Sequence, residues 1–243
     1  MTRVHIVVPC YNEAKRLKVQ SFLQLVAANR DLKLVFVNDG STDDTAKVLA
    51  DLASGGDQRI SVLTLAANAG KAEAVRHGMV AAFEEQPLFA GYWDADLAAP
   101  LSELQALIDQ LVLHPELDIA MGSRVKMLGR RIERRAFRHY AGRLFATAAS
   151  LALRIAVYDT QCGAKLFRVN DAVRHAFASP FGSPWVMDVE ILSRYIAKVG
   201  REAAASRMAE VPLQVWTAVP GSKLKVLAAL RAFWSLVAIR RRS

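Results

Sequence analysis

"FAGYWDADLAAP" (89–100) runs apolar for five residues, ends in two acids, Asp94 and Asp96, and breaks at Pro100. A short run with no polar alternation reads as a strand covered on both faces. Acids closing such a strand have two readings: they cap a turn, or they hold something positive. Four more runs share the pattern: "VHIVVP" (4–9), "LKLVFVND" (32–39), "ISVLTL" (60–65) and "LDIAMGS" (117–123). Between the runs, 13–29, 43–53, 70–85 and 101–113 carry helical spacing and good helix formers. Strands alternating with helices predict βαβ units, hence an α/β fold with a mostly parallel, Rossmann-like sheet and helices on both faces. In such sheets ligands bind beyond the carboxyl ends of the strands.

The 243 residues are long enough to bury a full core, and 53% hydrophobic with 23% charged residues is a globular composition. No Pro/Gly-rich linker or repeat divides the chain, so one domain over 1–243 is expected, with an elaborated C-terminal half. A net charge of +9 points to anionic company: phosphorylated substrates, nucleic acid or an acidic membrane surface. Two cysteines, Cys10 and Cys162, are too few for a disulfide framework or a structural zinc site and fit a reducing cytosol. The apolar start "MTRVHIVVP" is too short for a signal segment, and no window reaches the roughly 20 apolar residues of a spanning helix. A soluble or peripheral protein is expected.

Beyond residue 123 the pattern changes. "RVKMLGRRIERRAFRHYAGR" (124–143) carries eight arginines and lysines against one acid. It leads into an apolar helix at 144–158, a polar segment "YDTQCGAKLFR" (158–168), a helix at 186–199, a strand at 208–216 and a final helix ending in "RRR".

Polar residues gather where three predicted strands stop: 10–13, Asn38-Asp39-Gly40, and Asp94-Ala95-Asp96. No glycine-rich dinucleotide fingerprint follows the first strand. In an extended segment residues i and i+2 face one way, so Asp94 and Asp96 are placed to converge on a hard divalent ion, Mg²⁺ or Mn²⁺, that bridges to substrate phosphates. Turn capping remains the competing reading. In "NDGSTDDT" (38–45), Ser41 and Asp44 suit a capping box, which leaves Asp39 to accept hydrogen bonds from a base or ribose. Lys71, early in a helix and unfavourable against its dipole, makes sense opposite phosphate; Asn68 and Gly70 precede it and also suit a plain helix start.

Together "PCYNE" (9–13), "VNDGSTDDT" (37–45), "NAGKAEAVRHGM" (68–79), "DAD" (94–96) and "GSR" (122–124) resemble family 2 glycosyltransferases of the GT-A fold. "YDTQCGAKLFR", "DVEIL" (188–192) and "EVPLQVW…PGSKLK" (210–225) look like the dolichyl-phosphate β-glucosyltransferase branch, which loads glucose onto polyprenyl phosphate. The resemblance implies a nucleotide-sugar half, 1–123, and an acceptor half, 124–243. It implies a metal-dependent, inverting transfer of a hexose, glucose from UDP-glucose in preference to a GDP-sugar, to polyprenyl phosphate.

Carried over residue by residue, Pro9, Tyr11, Asn12, Glu13, Asp39, Gly70, Lys71, Asp94 and Ala95 would surround the donor. Asp94 and Asp96 would hold Mg²⁺ or Mn²⁺. Asp188 is the position offered for a base, with Asp159 the other carboxylate; capping of the 186–199 helix is the plain reading of Asp188. Arg124, Arg143, Gln161, Lys165, Ser222 and Lys223 are offered to the acceptor or donor phosphate, with a solvated strand residue as the alternative for Lys165. A phosphate acceptor is already anionic near neutral pH and needs orientation more than a base, whereas a hydroxyl acceptor needs proton removal. Ala98 and Ala99 stand where relatives often carry a polar side chain, which leaves a third protein ligand to the metal unassigned.

Arg131, Arg134, Arg135 and Arg138 are predicted on one helical face, with Phe137, Tyr140, Leu144 and Leu151 on another, a basic amphipathic helix suited to an anionic bilayer. The localisation implied is peripheral, on the cytoplasmic face of a membrane; the last helix is an interface element, a core helix or a homo-oligomer contact. Two other functions compete. One keeps the donor site and transfers to a hydroxyl of a glycan or simpler lipid. The other is nucleic-acid binding by the basic stretch, which lacks any recognised motif and would set acidic strand ends against a phosphate backbone; no nucleic acid is expected.

Overall fold

The computed structural model describes residues 3–133, 136–183, 185–219 and 236. The five apolar runs form β1 (Val4–Cys10), β2 (Leu32–Asn38), β3 (Ile60–Thr64), β4 (Phe89–Trp93) and β5 (Ile119–Ser123). The helices joining them are α1 (Val19–Ala28), α2 (Thr45–Ser54), α3 (Lys71–Glu84) and α4 (Leu104–Leu113), the last entered through a 3-10 turn, Leu101–Glu103. Then follow β6 (Arg131–Glu133), α5 (Ala136–Leu153), β7 (Ala164–Arg168), α6 (Asp171–Phe177), α7 (Met187–Val199), α8 (Arg201–Arg207), β8 (Met208–Pro212) and β9 (Val215–Thr217).

Seven strands make one sheet in the order β3-β2-β1-β4-β7-β5-β8, and β6 pairs with β9 in a small second sheet. β1, β2, β3 and β4 run parallel; β7 is antiparallel to both its neighbours, and β5 is parallel to β8. Alternate residues feed opposite faces, as a pleat requires. Val7, Val35 and Val37 pack with α3, α5, α6 and α7, whereas Ile6, Val8, Leu34 and Phe36 pack with α1, α2 and α4. Helices therefore cover both faces. Gly78 lets α3 approach the sheet, since a Cβ there would lie 2.3 Å from Val7 Cγ1.

The order matters for function. The chain leaves β1 on one side towards β2 and returns on the other as β4, so a topological switch point lies between β1 and β4, where open α/β sheets form their ligand crevice.

Five expectations are corrected. The 13–29 helix begins at Val19, because Glu13 instead caps a turn by accepting the backbone N–H groups of Arg16 and Leu17. The polar segment 158–168 contains a strand, β7, that is central and buried, where Lys165 suggested at most a solvated one. The 208–216 strand is two, broken where the Glu103 carboxylate accepts from the N–H groups of Gln214 and Val215, both at 2.9 Å. Arg131 lies on β6 and not on the basic helix, and the apolar helix ends at Leu153, before Arg154 turns to φ +54°. Arg134 and Arg135, and the side chains of Phe137, Arg138 and Tyr140, lie outside the described residues, as do Ser222 and Lys223. Among the described residues no helix is long and apolar enough to cross a membrane.

Candidate active site

Three strands deliver their ends to the crevice, and hydrogen bonds between the following loops set its floor. After β1, Asn12 takes φ +54° and its Oδ1 accepts from the N–H groups of Thr42 (2.9 Å) and Asp43 (3.3 Å). Ser41 Oγ accepts from Asn12 N, and Thr45 Oγ1 from Glu13 N. The capping-box expectation is corrected: Ser41 serves the neighbouring loop, and Asp43 accepts from Thr45 N at 2.9 Å. Asn12, offered as a donor contact, spends its carbonyl on this loop. Tyr11 is 44% exposed, an open aromatic face beside it.

Asp39, 2% exposed, accepts from Asn68 Nδ2 (3.1 Å), Ala69 N (2.8 Å) and Gly70 N (2.9 Å). Its carboxylate shapes the loop that starts α3; Gly70 there has φ +89°, a conformation that favours glycine. This places Lys71 at the crevice, where Nζ meets Asp94 Oδ1 at 2.5 Å. Partial burial works against the Lys71 charge, but Asp94 and then Asp188 outweigh it and raise its pKa above the ordinary lysine value.

Beyond β4 the chain turns. Leu97 N donates to Asp94 O (3.2 Å) with Leu97 at φ +51°, so Asp94 and Asp96 sit in a turn and not in the extended segment expected. The two carboxylates still share a field: burial first, then the Asp94 charge, raises the pKa of Asp96. Burial likewise raises that of Glu13, with smaller contributions from Asp96 and Asp43, and Glu13 Oε2 is buried without a partner among the described residues. Gly163 packs against this turn: Asp94 N donates to its carbonyl (2.9 Å), and a Cβ on it would stand 2.0 Å from Asp94 Oδ2.

Asp188, on the first turn of α7, faces the crevice from below. Its Oδ1 accepts from Tyr92 Oη and from Lys165 Nζ, each at 2.5 Å. Asp188 and Glu190 stand in the first turn, as the capping reading had it, but neither side chain makes a cap hydrogen bond. Lys165 is fully buried and donates also to Thr160 O (2.9 Å) and Cys162 O (2.7 Å). Lys165 is on a strand, as one reading had it, but buried and not solvated, and its three donors meet three protein acceptors and not a phosphate.

Arg124 and Asp159 are corrected together. Arg124 Nε and Nη2 reach the two Asp159 oxygens at 2.6 and 2.7 Å, and Arg124 N donates to the same carboxylate at 3.0 Å. Against the cost of burial, Asp159 raises the arginine's pKa still further. Both Asp159 oxygens are thus engaged by one guanidinium; Glu210 holds its backbone in turn, accepting from Tyr158 N and Asp159 N at 2.7 Å. Arg143 lies over the Tyr158 ring, 3.8 Å from its centroid, with Nη1 buried and unpartnered among the described residues. Gln161 Nε2, Thr160 Oγ1 and Ser123 Oγ are also buried without partners among the described residues. Thr160, Ser123, Tyr92 and Gly163 were missed in the sequence; adjacency to Gln161 and Arg124 was the signal for Thr160 and Ser123, and Tyr92 and Gly163 lie two residues from Asp94 and Gln161.

A glycosyl transferase family 2 model matches residues 5–174, the span from β1 through α6 that carries all three strand-end loops. The chain belongs to glycosyl transferase family 2. Its relatives include the dolichyl-phosphate beta-glucosyltransferase of Drosophila melanogaster, 34% identical over 97% of this chain and 72% of that protein. The Homo sapiens dolichyl-phosphate beta-glucosyltransferase is 32% identical over 96% of this chain and 71% of that protein. In fold, the chain resembles the glucosyl-3-phosphoglycerate synthase of Mycobacterium tuberculosis in complex with uridine diphosphate, with a TM-score of 0.71 and 18% identity over 99% of this chain and 80% of that one. The same enzyme in complex with Mn²⁺ and UDP-glucose matches at a TM-score of 0.71 and 16% identity, over 99% and 79% of the two chains. This glycosyltransferase is thus an enzyme with the GT-A fold, and its crevice at the β1–β4 switch point is the candidate active site.

Proposed function

We propose that this glycosyltransferase moves glucose from UDP-glucose to a polyprenyl phosphate, with inversion and with a divalent cation, at a membrane surface. One observation carries the reading: Lys71, Asp94 and Asp96 converge at the switch-point crevice, a cation and two acids where a nucleoside diphosphate must be held. In the donor half, 1–123, Tyr11 offers its exposed ring to the base, and Glu13, Gly70 and Ala95 border the diphosphate. Asp39 acts through the Asn68–Gly70 loop it holds.

The residues fit Mg²⁺ or Mn²⁺. Asp94 and Asp96 are like charges in a partly buried turn whose repulsion a cation would relieve. Among the described residues no group of three or more His, Cys, Asp or Glu forms a metal cage, so substrate oxygens or water would complete the shell. Bound there, the ion would neutralise charge on the departing diphosphate.

The acceptor half, 124–243, supports a phosphate. Arg143 Nη1, Gln161 Nε2, Thr160 Oγ1 and Ser123 Oγ are buried polar groups lacking partners, and such groups are costly unless a ligand or water satisfies them. The dolichyl-phosphate β-glucosyltransferase relatives name the same acceptor class. Asp188 orients the acceptor, which needs no proton removed. Leu144 and Leu151, 75% and 65% exposed on α5 after the basic stretch, suit contact with an anionic bilayer, and we assign the enzyme to its cytoplasmic face. Transfer to a hydroxyl is the second reading, in which Asp188 would serve as base.

The test supplies labelled UDP- and GDP-hexoses with polyprenyl phosphate, with and without Mg²⁺ or Mn²⁺, and follows label into organic solvent. Label from UDP-glucose is expected to enter the lipid only with metal, and to be lost in Asp96→Asn. Label that moves undiminished in Asp96→Asn removes the metal site; label confined to the aqueous phase rejects the acceptor.

A further inference from the structure

We infer that Lys165 and Tyr92 are positioning residues that hold Asp188 as a fixed carboxylate with one oxygen turned to the crevice. The inference rests on the proposed reading for the role of Asp188, and on the geometry alone for the brace. Oδ1 of Asp188 takes two donors at 2.5 Å, one from β4 and one from β7, both side chains fully buried. Lys165 can neither swing away nor be hydrated, because its remaining protons go to the carbonyls of Thr160 and Cys162. Oδ2 accepts no hydrogen bond among the described residues, and Asp188 keeps 7% of its surface exposed. Tyr92, which donates to the other oxygen, is the penultimate residue of β4, so the carboxylate is held beside the crevice at the end of that strand.

Each part of this arrangement has a cause. Lys165 faces Tyr92 across the β4–β7 ladder, so adjacent strands present both donors at one height. Gly91, next to Tyr92, permits the close approach: a Cβ there would meet Lys165 O at 2.1 Å. Burial first, then the Asp188 charge, pushes the Tyr92 hydroxyl well above its ordinary range, so it stays a donor. A buried lysine between strands costs free energy unless paired, and here its partner is the α7 acid with one oxygen that accepts no hydrogen bond among the described residues, since both Glu190 oxygens are engaged by Arg194 and Gly182 N. The brace thus neutralises Asp188 without covering it.

The test uses the full chain with UDP-glucose, Mn²⁺ and polyprenyl phosphate. Lys165→Met is expected to lower kcat about 100-fold, the loss that a misplacement of about 1 Å brings, with the KM for UDP-glucose within about threefold. Tyr92→Phe, which keeps the ion pair, lowers kcat about tenfold. Because Lys165→Met strands a buried carboxylate and risks misfolding, Lys165→Met/Asp188→Asn is the second variant; it is expected to be as active as Asp188→Asn alone, since Lys165 acts through Asp188. A double variant about tenfold slower than Asp188→Asn, or a Lys165→Met loss confined to the KM for polyprenyl phosphate, overturns the inference. If the wild-type enzyme labels no lipid, the functional reading fails separately. Crystal structures of Tyr92→Phe and of the folded Lys165 variant then decide the brace: a displaced Asp188 carboxylate supports it, and an unmoved one overturns it.

Discussion

Lys71 Nζ lies 2.5 Å from Asp94 Oδ1, so the first residue of α3 and the first residue beyond β4 are locked across the mouth of the crevice. The side chains are 46% and 32% exposed, and pairs so open to water contribute only about 0–1 kcal/mol. The lock is therefore easily exchanged: a cation can take Asp94 while a diphosphate takes Lys71. Lys71→Met should leave the denaturation midpoint nearly unchanged and weaken UDP binding in the presence of Mn²⁺ by about tenfold or more. Mn²⁺ alone should bind this variant more tightly than wild type, because its competitor for Asp94 is gone. Calorimetry with Mn²⁺, then with UDP and Mn²⁺, measures both; unchanged affinities in both titrations would separate the pair from ligand binding.

Gly163→Ala should damage the site without removing any charged group. The added methyl would fall 2.0 Å from Asp94 Oδ2, so the carboxylate must move. The expected result is a folded protein whose stability falls by about 1–3 kcal/mol and whose transfer rate falls about 100-fold. Urea melts and initial rates test this; wild-type rates would mean that the Asp94 position is immaterial.

The first five strands were legible because each is an unbroken apolar run, and Asp94, Asp96 and Lys71 were legible because acids and an early lysine stood where those runs stopped. β7 was not, since a strand holding Lys165 lacks the signature of a buried one; the partner that makes burial tolerable, Asp188, is on another element. The same blindness misread Arg124 and Asp159, which are far apart in the chain and meet through the turn after β5. Sequence shows which side chains are charged, and the fold alone decides which of them are already paired.

Both cysteines should be unreactive while the chain is folded. Burial, reinforced by Glu13, pushes the Cys10 thiol up to about 12, and burial pushes Cys162 up to about 12 although Arg124 and Lys165 oppose it. At about pH 8 only roughly one such thiol in ten thousand is thiolate, the reactive form. Ellman's reagent should therefore find almost no thiol in native protein and both thiols in guanidinium, and the native rate should rise with pH. Fast native labelling would show that β1's end or the 158–163 turn is open.

Asp159→Asn distinguishes an anchor from a base. In the anchor role, the substitution leaves the buried Arg124 guanidinium without its countercharge and loosens the turn that carries Thr160 and Gln161. Breaking a buried pair from one side costs about 3–5 kcal/mol, so the urea midpoint should fall sharply. Arg124→Met/Asp159→Asn, which removes both charges, should recover much of that loss, whereas either single change should not. A base would behave otherwise: Asp159→Asn would keep its midpoint and lose turnover. Melts of the two singles and the double, read beside their rates, separate these outcomes, and the bidentate geometry predicts that stability is what Asp159→Asn loses.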